Sequence, residues 1–245
     1  MIKRKTAGKN MIKTIIFDID QTLYNYNDCH TIALQTIDDY CVSHHILKTG
    51  EMTRLWRIVF HEVMDRLGFD NANSHDTMLR IQTILEKKGI NPLPAALTLH
   101  HLYWDTFLEH MQIYDWVLPF LHKVREMGIC TGIATDLTVE PQFRKLIRLG
   151  IEDQFDFIVT SEEANCEKPH RGIFEFCLQK AGCAAGECFM IGDNWNKDII
   201  GAMDMGMHYA WHTPGMDLAE ADPEKRPVAF SSLQELWKIW NDSEN

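Results

Sequence analysis

A series of short apolar runs, alternating with helical patterns, constrains the fold of this chain more than any other feature. The first run, Lys-Thr-Ile-Ile-Phe at residues 13–17, ends abruptly in acidic and polar residues. Later runs of the same kind lie at residues 128–135, 155–160, 188–192 and 207–211. Each later run is preceded by a helical pattern, at residues 117–127, 138–149, 171–180 and 197–205 respectively. This order predicts an α/β protein with a Rossmann-like three-layer core, in which helices cover both faces of a parallel sheet.

The stretch of residues 27–112 breaks the alternation, because it has helical periodicity and no strand pattern. Its predicted helices lie at residues 31–46, 52–67, 76–88 and 95–110. We therefore predict a core domain formed by residues 1–26 and 113–245, with an inserted all-helical cap domain formed by residues 27–112. A possible edge strand at residues 228–230 and a final helix complete the predicted core.

Polar side chains gather where the predicted strands end, which is where open parallel sheets bind their ligands. They are Asp18 and Asp20 after the first run, Thr135 and Asp136 at the second, Lys168 after the third, and Asp193 and Asp198 after the fourth. Carboxylates that lie close together repel each other unless a cation compensates their charge. The sequence therefore implies a hard cation that prefers oxygen ligands, for which Mg²⁺ is the best match.

The order and spacing of these residues resemble the haloacid dehalogenase-like hydrolase superfamily. The resemblance depends on four motifs: DxDxT at residues 18–22, Thr135 at the end of the second strand, Lys168 in Glu-Lys-Pro, and GDxxxxD at residues 192–198. All four occur in order, each at the end of its own predicted strand. The inserted helices resemble the cap that members of this superfamily carry between the first and second motifs, which points to the phosphatase branch.

The resemblance implies a Mg²⁺-dependent phosphomonoesterase that forms an aspartyl-phosphate. Asp18 would attack the phosphorus, and Asp20 would serve as general acid and then as general base. Thr135, Asp136 and Lys168 would bind the phosphoryl group. The implied metal ligands are Asp18, the main-chain carbonyl of Asp20, and Asp193. Thr22 and Asp198 would position these groups without binding the metal directly.

Three other functions compete with this interpretation. A phosphosugar mutase keeps every phosphatase motif and stays open as an alternative. A dehalogenase needs neither a metal nor a second acid, so Asp20 argues against it. A non-catalytic phosphate-binding protein should have lost at least one residue of the four motifs.

Composition restricts the partners. The net charge of −11 argues against a nucleic-acid polymer, because such binders need a basic face. No apolar stretch is long enough for a membrane span, and the basic start at residues 1–5 is not followed by an apolar signal region. Seven cysteines at scattered spacings fit reduced thiols, so we expect a cytoplasmic enzyme, monomer or homodimer. Its substrate should be a small phosphorylated metabolite such as a nucleoside monophosphate or sugar phosphate.

Two positions depart from the pattern of many relatives, which have Asn where this chain has Asp136 and Lys197. We expect the added charges to influence substrate choice more than the chemistry. Specificity should reside in the cap, with candidates Trp56, Arg57, His61, Tyr103 and Trp104, and the cap should close at hinges near residues 24–28 and 112–116. The histidines show no metal-ligand spacing, so they are interpreted as surface or cap residues.

Overall fold

The computed structural model of the chain describes residues 11–68, 71–217 and 222–243. The basic start at residues 1–5 thus lies outside the described residues. Within the described ranges, no helix is both long enough and apolar enough to cross a membrane.

One sheet of six parallel strands forms the centre of the described chain. The strands are β1 (Thr14–Phe17), β2 (Cys130–Thr135), β3 (Phe157–Thr160), β4 (Cys188–Gly192), β5 (His208–His212) and β6 (Ala229–Phe230). Their order is β3-β2-β1-β4-β5-β6. Strand β1 lies inside the sheet, where Thr14 is in register with Cys130 on one side and Cys188 on the other. Both neighbours of β1 thus end beside the residues that follow Phe17.

The described residues form ten α-helices. They are α1 (Tyr26–Ser43), α2 (Glu51–Leu67), α3 (Thr77–Lys87), α4 (Ala96–Glu109), α5 (Val117–Glu126), α6 (Val139–Leu149), α7 (Ser161–Ala164), α8 (Arg171–Ala181), α9 (Ile200–Met205) and α10 (Leu233–Ser243). Helices α1 to α4 pack against one another, with α1 against α4 and α3 against both α2 and α4.

Alternate side chains of β1 enter two separate apolar layers. Phe17 is fully buried in the layer that contains Phe120 of α5, and the two rings meet edge to face with centroids 6.2 Å apart. Ile16 faces the opposite side, in the layer that contains Phe174 of α8. Burial of each such side chain contributes roughly 1.5–3 kcal/mol. The predicted α/β fold with a Rossmann-like three-layer core is confirmed.

The chain leaves the sheet and returns to it at one place. Tyr24 forms a parallel bridge with Asp20 and an antiparallel bridge with Ile113, and the amide of Tyr114 donates to the carbonyl of Leu23 at 2.9 Å. These bridges lie at the predicted hinges. The division into a core domain and a cap domain of residues 27–112 stays a prediction.

Two predicted helices differ from the structure at their starts. Helix α1 begins at Tyr26, ahead of the predicted residue 31, because the side chain of Asn25 accepts a hydrogen bond from the Asp28 amide at 3.1 Å and caps the helix earlier. The predicted helix at residues 197–205 is a π-helical turn over Trp195–Ile199 followed by α9.

The interpretation of every histidine as a surface or cap residue is wrong for His212. This residue ends β5 and is only 2% exposed. Its Nε2 accepts a hydrogen bond from Trp116 Nε1 at 3.2 Å, and its Nδ1 lies 3.3 Å from the carbonyl of Gln21. Burial lowers the pKa of His212 from 6.5 to about 4, although the Gln21 carbonyl opposes the shift. The neutral ring therefore connects Trp116 to the main chain at Gln21 inside the core.

Candidate active site

A pocket of about 350 Å³ opens at the carboxyl ends of the sheet strands. The strand ends and their loops contribute Asp18, Asp20, Gln21, Thr135, Asp136, Leu137, Lys168, Asp193, Asn194, Lys197 and Asp198. The helical segment between residues 26 and 104 contributes Tyr26, Asn27, Trp56, His75, Thr77, Arg80, Tyr103 and Trp104. The structure thus brings seven of the eight predicted site residues into one lining, and the eighth, Thr22, lies directly behind it.

Lys168 connects two of the predicted carboxylates. Its Nζ donates to Asp18 Oδ1 at 2.6 Å and to Asp198 Oδ1 at 2.7 Å, and all three side chains are nearly inaccessible to solvent. Burial acts to lower the pKa of Lys168, but the charges of Asp18 and Asp198 raise it well above its ordinary value. Lys168 therefore remains a cation in contact with Asp18.

Gly192, in the GDxxxxD motif, leaves room for this arrangement. A Cβ at Gly192 would lie 2.4 Å from Cβ and 2.3 Å from Oδ2 of Asp198. Such a contact is sterically forbidden, so any side chain at this position would displace Asp198 from Lys168. The glycine of the motif thus leaves the space that the Asp198 side chain occupies in this chain.

The carboxylates of Asp18, Asp193 and Asp198 approach within 4.8 Å of one another. Burial, followed by the charge of Asp198, raises the pKa of Asp193 to about 7. Burial also raises the pKa of Asp18 well above its ordinary value, although Lys168 opposes the shift. Thr22 Oγ1 donates to Asp18 Oδ2 at 3.1 Å and to Asp193 Oδ1 at 3.2 Å. Three crowded oxygen donors whose charges are mutually unfavourable fit a hard divalent cation such as Mg²⁺.

Asp20 faces a different set of partners, which sequence reasoning missed. Lys145 Nζ donates to its two carboxylate oxygens at 2.6 and 2.8 Å, and the hydroxyl of Tyr24 also donates to it. Gln142 Nε2 lies 3.4 Å from Asp20 Oδ2 and 2.7 Å from Thr135 Oγ1. One signal in the sequence could have indicated these partners. Gln142 and Lys145 lie on the same helical face as the apolar Leu146, and polar side chains on a buried face must have hydrogen-bond partners.

Lys145 also connects the sheet to the helical segment. Its side chain is fully buried, and its Nζ lies 5.5 to 5.7 Å from the ring centroids of Tyr26, Trp104 and Phe107. Next to it, Arg144 of α6 forms an ion pair with Asp105 of α4 at 3.0 Å. The aromatic rings keep water away from the ammonium end of the ion pair between Lys145 and Asp20 and stabilise its positive charge.

The charges of Asp136 and Lys197, the two residues that depart from the family pattern, neutralise each other. Lys197 Nζ lies 2.8 Å from Asp136 Oδ2 and 3.0 Å from Glu167 Oε2, and Asp136 Oδ1 accepts from the Lys168 amide at 3.0 Å. Burial acts to raise the pKa of Asp136, but Lys168 and Lys197 together hold it below its ordinary value. Asp136 thus joins the loops that carry Thr135, Lys168 and Asp198.

Three of the five specificity candidates line the pocket, namely Trp56, Tyr103 and Trp104. Trp56 and Tyr103 stack with ring centroids 5.3 Å apart. The other two candidates, Arg57 and His61, are exposed on α2 and lie outside this lining. The helical periodicity of α2 turns these two side chains towards solvent, because the buried face is formed by Leu55, Trp56 and Val59.

Comparison with known proteins agrees with this fold. Residues 12–206 match the family of haloacid dehalogenase-like hydrolases, so the chain belongs to that family. A ribulose-1,5-bisphosphate 5-phosphatase of Halopiger xanaduensis is 32% identical over 209 residues, covering 83% of this chain and 86% of that protein. A glyceraldehyde 3-phosphate phosphatase of Methanocaldococcus jannaschii is 30% identical over 235 residues, covering 94% and 97%.

A solved structure shares the architecture. A HAD phosphatase from Thermococcus onnurineus superimposes with a TM-score of 0.70 at 24% identity, covering 93% of this chain and 97% of that one. The predicted family and its phosphatase branch are confirmed, as is the predicted class of enzyme, a hydrolase of phosphate esters.

Proposed function

We propose that this protein is a Mg²⁺-dependent phosphomonoesterase that hydrolyses a small sugar phosphate through an aspartyl-phosphate. The observation that carries the proposal is the placement of two carboxylates with different partners in one pocket. Asp18 contacts Lys168, whereas Asp20 contacts Lys145. Gln142 connects Asp20 to Thr135, because its side-chain amide contacts both residues. Two carboxylates in distinct environments can divide nucleophilic and acid–base roles.

In the first step, a carboxylate oxygen of Asp18 forms a bond to phosphorus while the bond from phosphorus to the ester oxygen breaks. Asp20 transfers its proton to the departing oxygen, which leaves as an alcohol. In the second step, Asp20 accepts a proton from water as the water oxygen attacks phosphorus. The bond between Asp18 and phosphorus then breaks, so inorganic phosphate leaves and both carboxylates return to their starting states.

The residues around these carboxylates have supporting roles. Lys168 reduces the negative charge that accumulates on Asp18 and on the phosphoryl oxygens, and Thr135 donates to one of those oxygens. Asp136, whose side chain is engaged by Lys197, holds the Lys168 loop in position and lines the pocket beside the phosphoryl group. Lys145 and Gln142 fix the orientation of Asp20.

The carboxylates of Asp18 and Asp193, with the main-chain carbonyl of Asp20, would hold Mg²⁺. Asp198 supports this site through Lys168, and Thr22 supports it through its hydroxyl. When bound, Mg²⁺ supplies positive charge that stabilises the phosphoryl group during transfer.

Pocket size and relatives both favour a small substrate. A volume of about 350 Å³ is near the lower end of small-molecule sites and suits a few carbon atoms with a phosphate. The two relatives described above are named for a ribulose bisphosphate and for glyceraldehyde 3-phosphate, both phosphorylated sugars. We therefore favour a sugar phosphate over a nucleoside monophosphate. Residues 27–112 act as a cap that closes over it, in a cytoplasmic enzyme.

The proposal is tested by inorganic phosphate release from p-nitrophenyl phosphate and from a panel of phosphorylated sugars. We expect release that needs Mg²⁺, stops with EDTA and falls at least about 10³-fold in Asp18→Asn, because the nucleophile is lost. Asp153→Asn, a matched change at an exposed carboxylate, should retain wild-type activity. Activity that persists in Asp18→Asn would refute the mechanism, and isomerisation of a sugar phosphate without net phosphate release would favour the mutase.

A further inference from the structure

Arg80 occupies an unusual position for a cation. The buried face of α3 consists of Thr77, Arg80, Ile81, Ile84 and Leu85, which is the stripe of an amphipathic helix with one charged member. Arg80 is only 8% exposed, yet it lines the pocket that contains Asp18. A buried guanidinium is unfavourable unless something compensates its charge and its five donors.

Within the described residues, no carboxylate forms an ion pair with Arg80, and the charge of Asp76 favours its cationic form only from a distance. Its Nε is buried without a hydrogen-bond partner, and its guanidinium lies against the faces of Phe60 at 4.4 Å and Trp56 at 5.6 Å. By contrast, the other two pocket-lining cations are engaged, Lys168 by Asp18 and Lys197 by Asp136. The aromatic faces account for part of the compensation and leave the donors unused.

Charge is distributed unequally across the pocket. Every aspartate in the lining comes from the strand ends. Among the described lining residues that come from the helical segment, Arg80 is the single arginine or lysine. A substrate whose phosphoryl group is held at Asp18 must extend its organic part towards Trp56, Tyr103 and Arg80. A second negative charge on that part would meet the unused donors of Arg80.

We infer that Arg80 binds a second anionic group, a carboxylate or a phosphate, carried by the organic part of the phosphate ester. This inference rests on the proposed phosphomonoesterase function and narrows its substrate class. Guanidinium is suited to the task, because its planar donors match the oxygens of both groups. Trp56 and Phe60 then serve as a platform that holds the guanidinium in the pocket before substrate arrives.

The test compares esters that differ by one anionic group. Glycerol 3-phosphate against 3-phosphoglycerate adds a carboxylate, and ribulose 5-phosphate against ribulose 1,5-bisphosphate adds a phosphate. In the wild-type enzyme with Mg²⁺, kcat/KM should be about 10- to 100-fold higher for the second member of at least one pair, as expected for charge-assisted hydrogen bonds. The pair that shows the preference identifies the anion.

The preference ratio should collapse towards one in Arg80→Gln and remain partly in Arg80→Lys, which keeps the charge without the planar fork. The ratio is insensitive to a loss of folded enzyme, because both substrates report on the same protein. Arg54→Gln changes an exposed arginine of α2 outside the pocket lining, and it should leave both activities and the ratio unchanged.

Failure of the Arg80 inference and failure of the proposed function would give different results. Wild-type hydrolysis of all four esters without preference, or a ratio that survives Arg80→Gln, would overturn the inference and leave the proposed function intact. If wild type releases no phosphate from these esters or from p-nitrophenyl phosphate with Mg²⁺, the proposed function fails, and the inference fails with it.

Discussion

Replacing Lys145 with Met removes one ammonium group from a fully buried position while keeping most of the side-chain volume. Breaking a buried ion pair by removing one partner costs about 3–5 kcal/mol. Asp20 retains 28% exposure of its side chain and keeps donors from Tyr24 and Gln142. We therefore expect a smaller loss of unfolding free energy, about 1–3 kcal/mol, which lowers Tm by roughly 2–12 °C for a chain of this size.

A double-mutant cycle isolates the pair. Lys145→Met and Asp20→Asn, combined, should cost less than the sum of the single changes by about 1–2 kcal/mol, because each single change leaves its partner uncompensated. Urea denaturation measures the free energies. Lys87→Met provides the matched control, since Lys87 pairs with Glu62 at 2.7 Å in an exposed position and should cost less than about 1 kcal/mol. Additive costs for the Lys145 and Asp20 changes would refute the reasoning.

Kinetics give an independent test of the same residue. The alcohol of glycerol 3-phosphate must receive a proton as it leaves, whereas p-nitrophenolate departs without one. If Lys145 positions Asp20 as the acid, Lys145→Met should lower kcat/KM about 10- to 100-fold for glycerol 3-phosphate and less for p-nitrophenyl phosphate. Equal losses on both substrates would assign Lys145 a purely structural role.

Two further predictions concern His212 and the proposed metal site. The unfolded chain binds a proton at His212 near pH 6.5 and the folded chain only near pH 4. The stability that the neutral ring provides is therefore complete above pH 6.5 and falls by up to about 3 kcal/mol as the pH approaches 4. In His212→Gln, urea denaturation between pH 8 and 5 should show a smaller loss on acidification, and an unchanged slope would contradict this account. For the metal site, Mg²⁺ at about 100 times its Kd should raise stability by about 2.7 kcal/mol in thermal denaturation. EDTA should reverse the gain and Asp193→Asn should abolish it, whereas an equal gain in the variant would place Mg²⁺ elsewhere.

The sheet and the acidic residues could be predicted because their signals are local. Each strand is a short apolar run, and Asp18 and Asp20 follow the first run directly. Lys145 could not be found in this way, since its partner Asp20 is 125 positions away and only the packing of α6 brings them together. Arg80 interrupts an apolar helical stripe, which was visible in the sequence, but its meaning depends on a pocket assembled from both parts of the chain.

The neighbouring bridges of Tyr24 with Asp20 and with Ile113 have an evolutionary consequence. Because the two ends of the helical segment meet at one point, its helices can be lengthened, reshaped or exchanged without altering the strand order or the register of β1. Changes in the helical segment can thus alter the side chains that face the pocket while the strand ends keep their positions. The surface of α6 sets the limit on this modularity, since any replacement must still cover Lys145 and meet Arg144 where Asp105 now does.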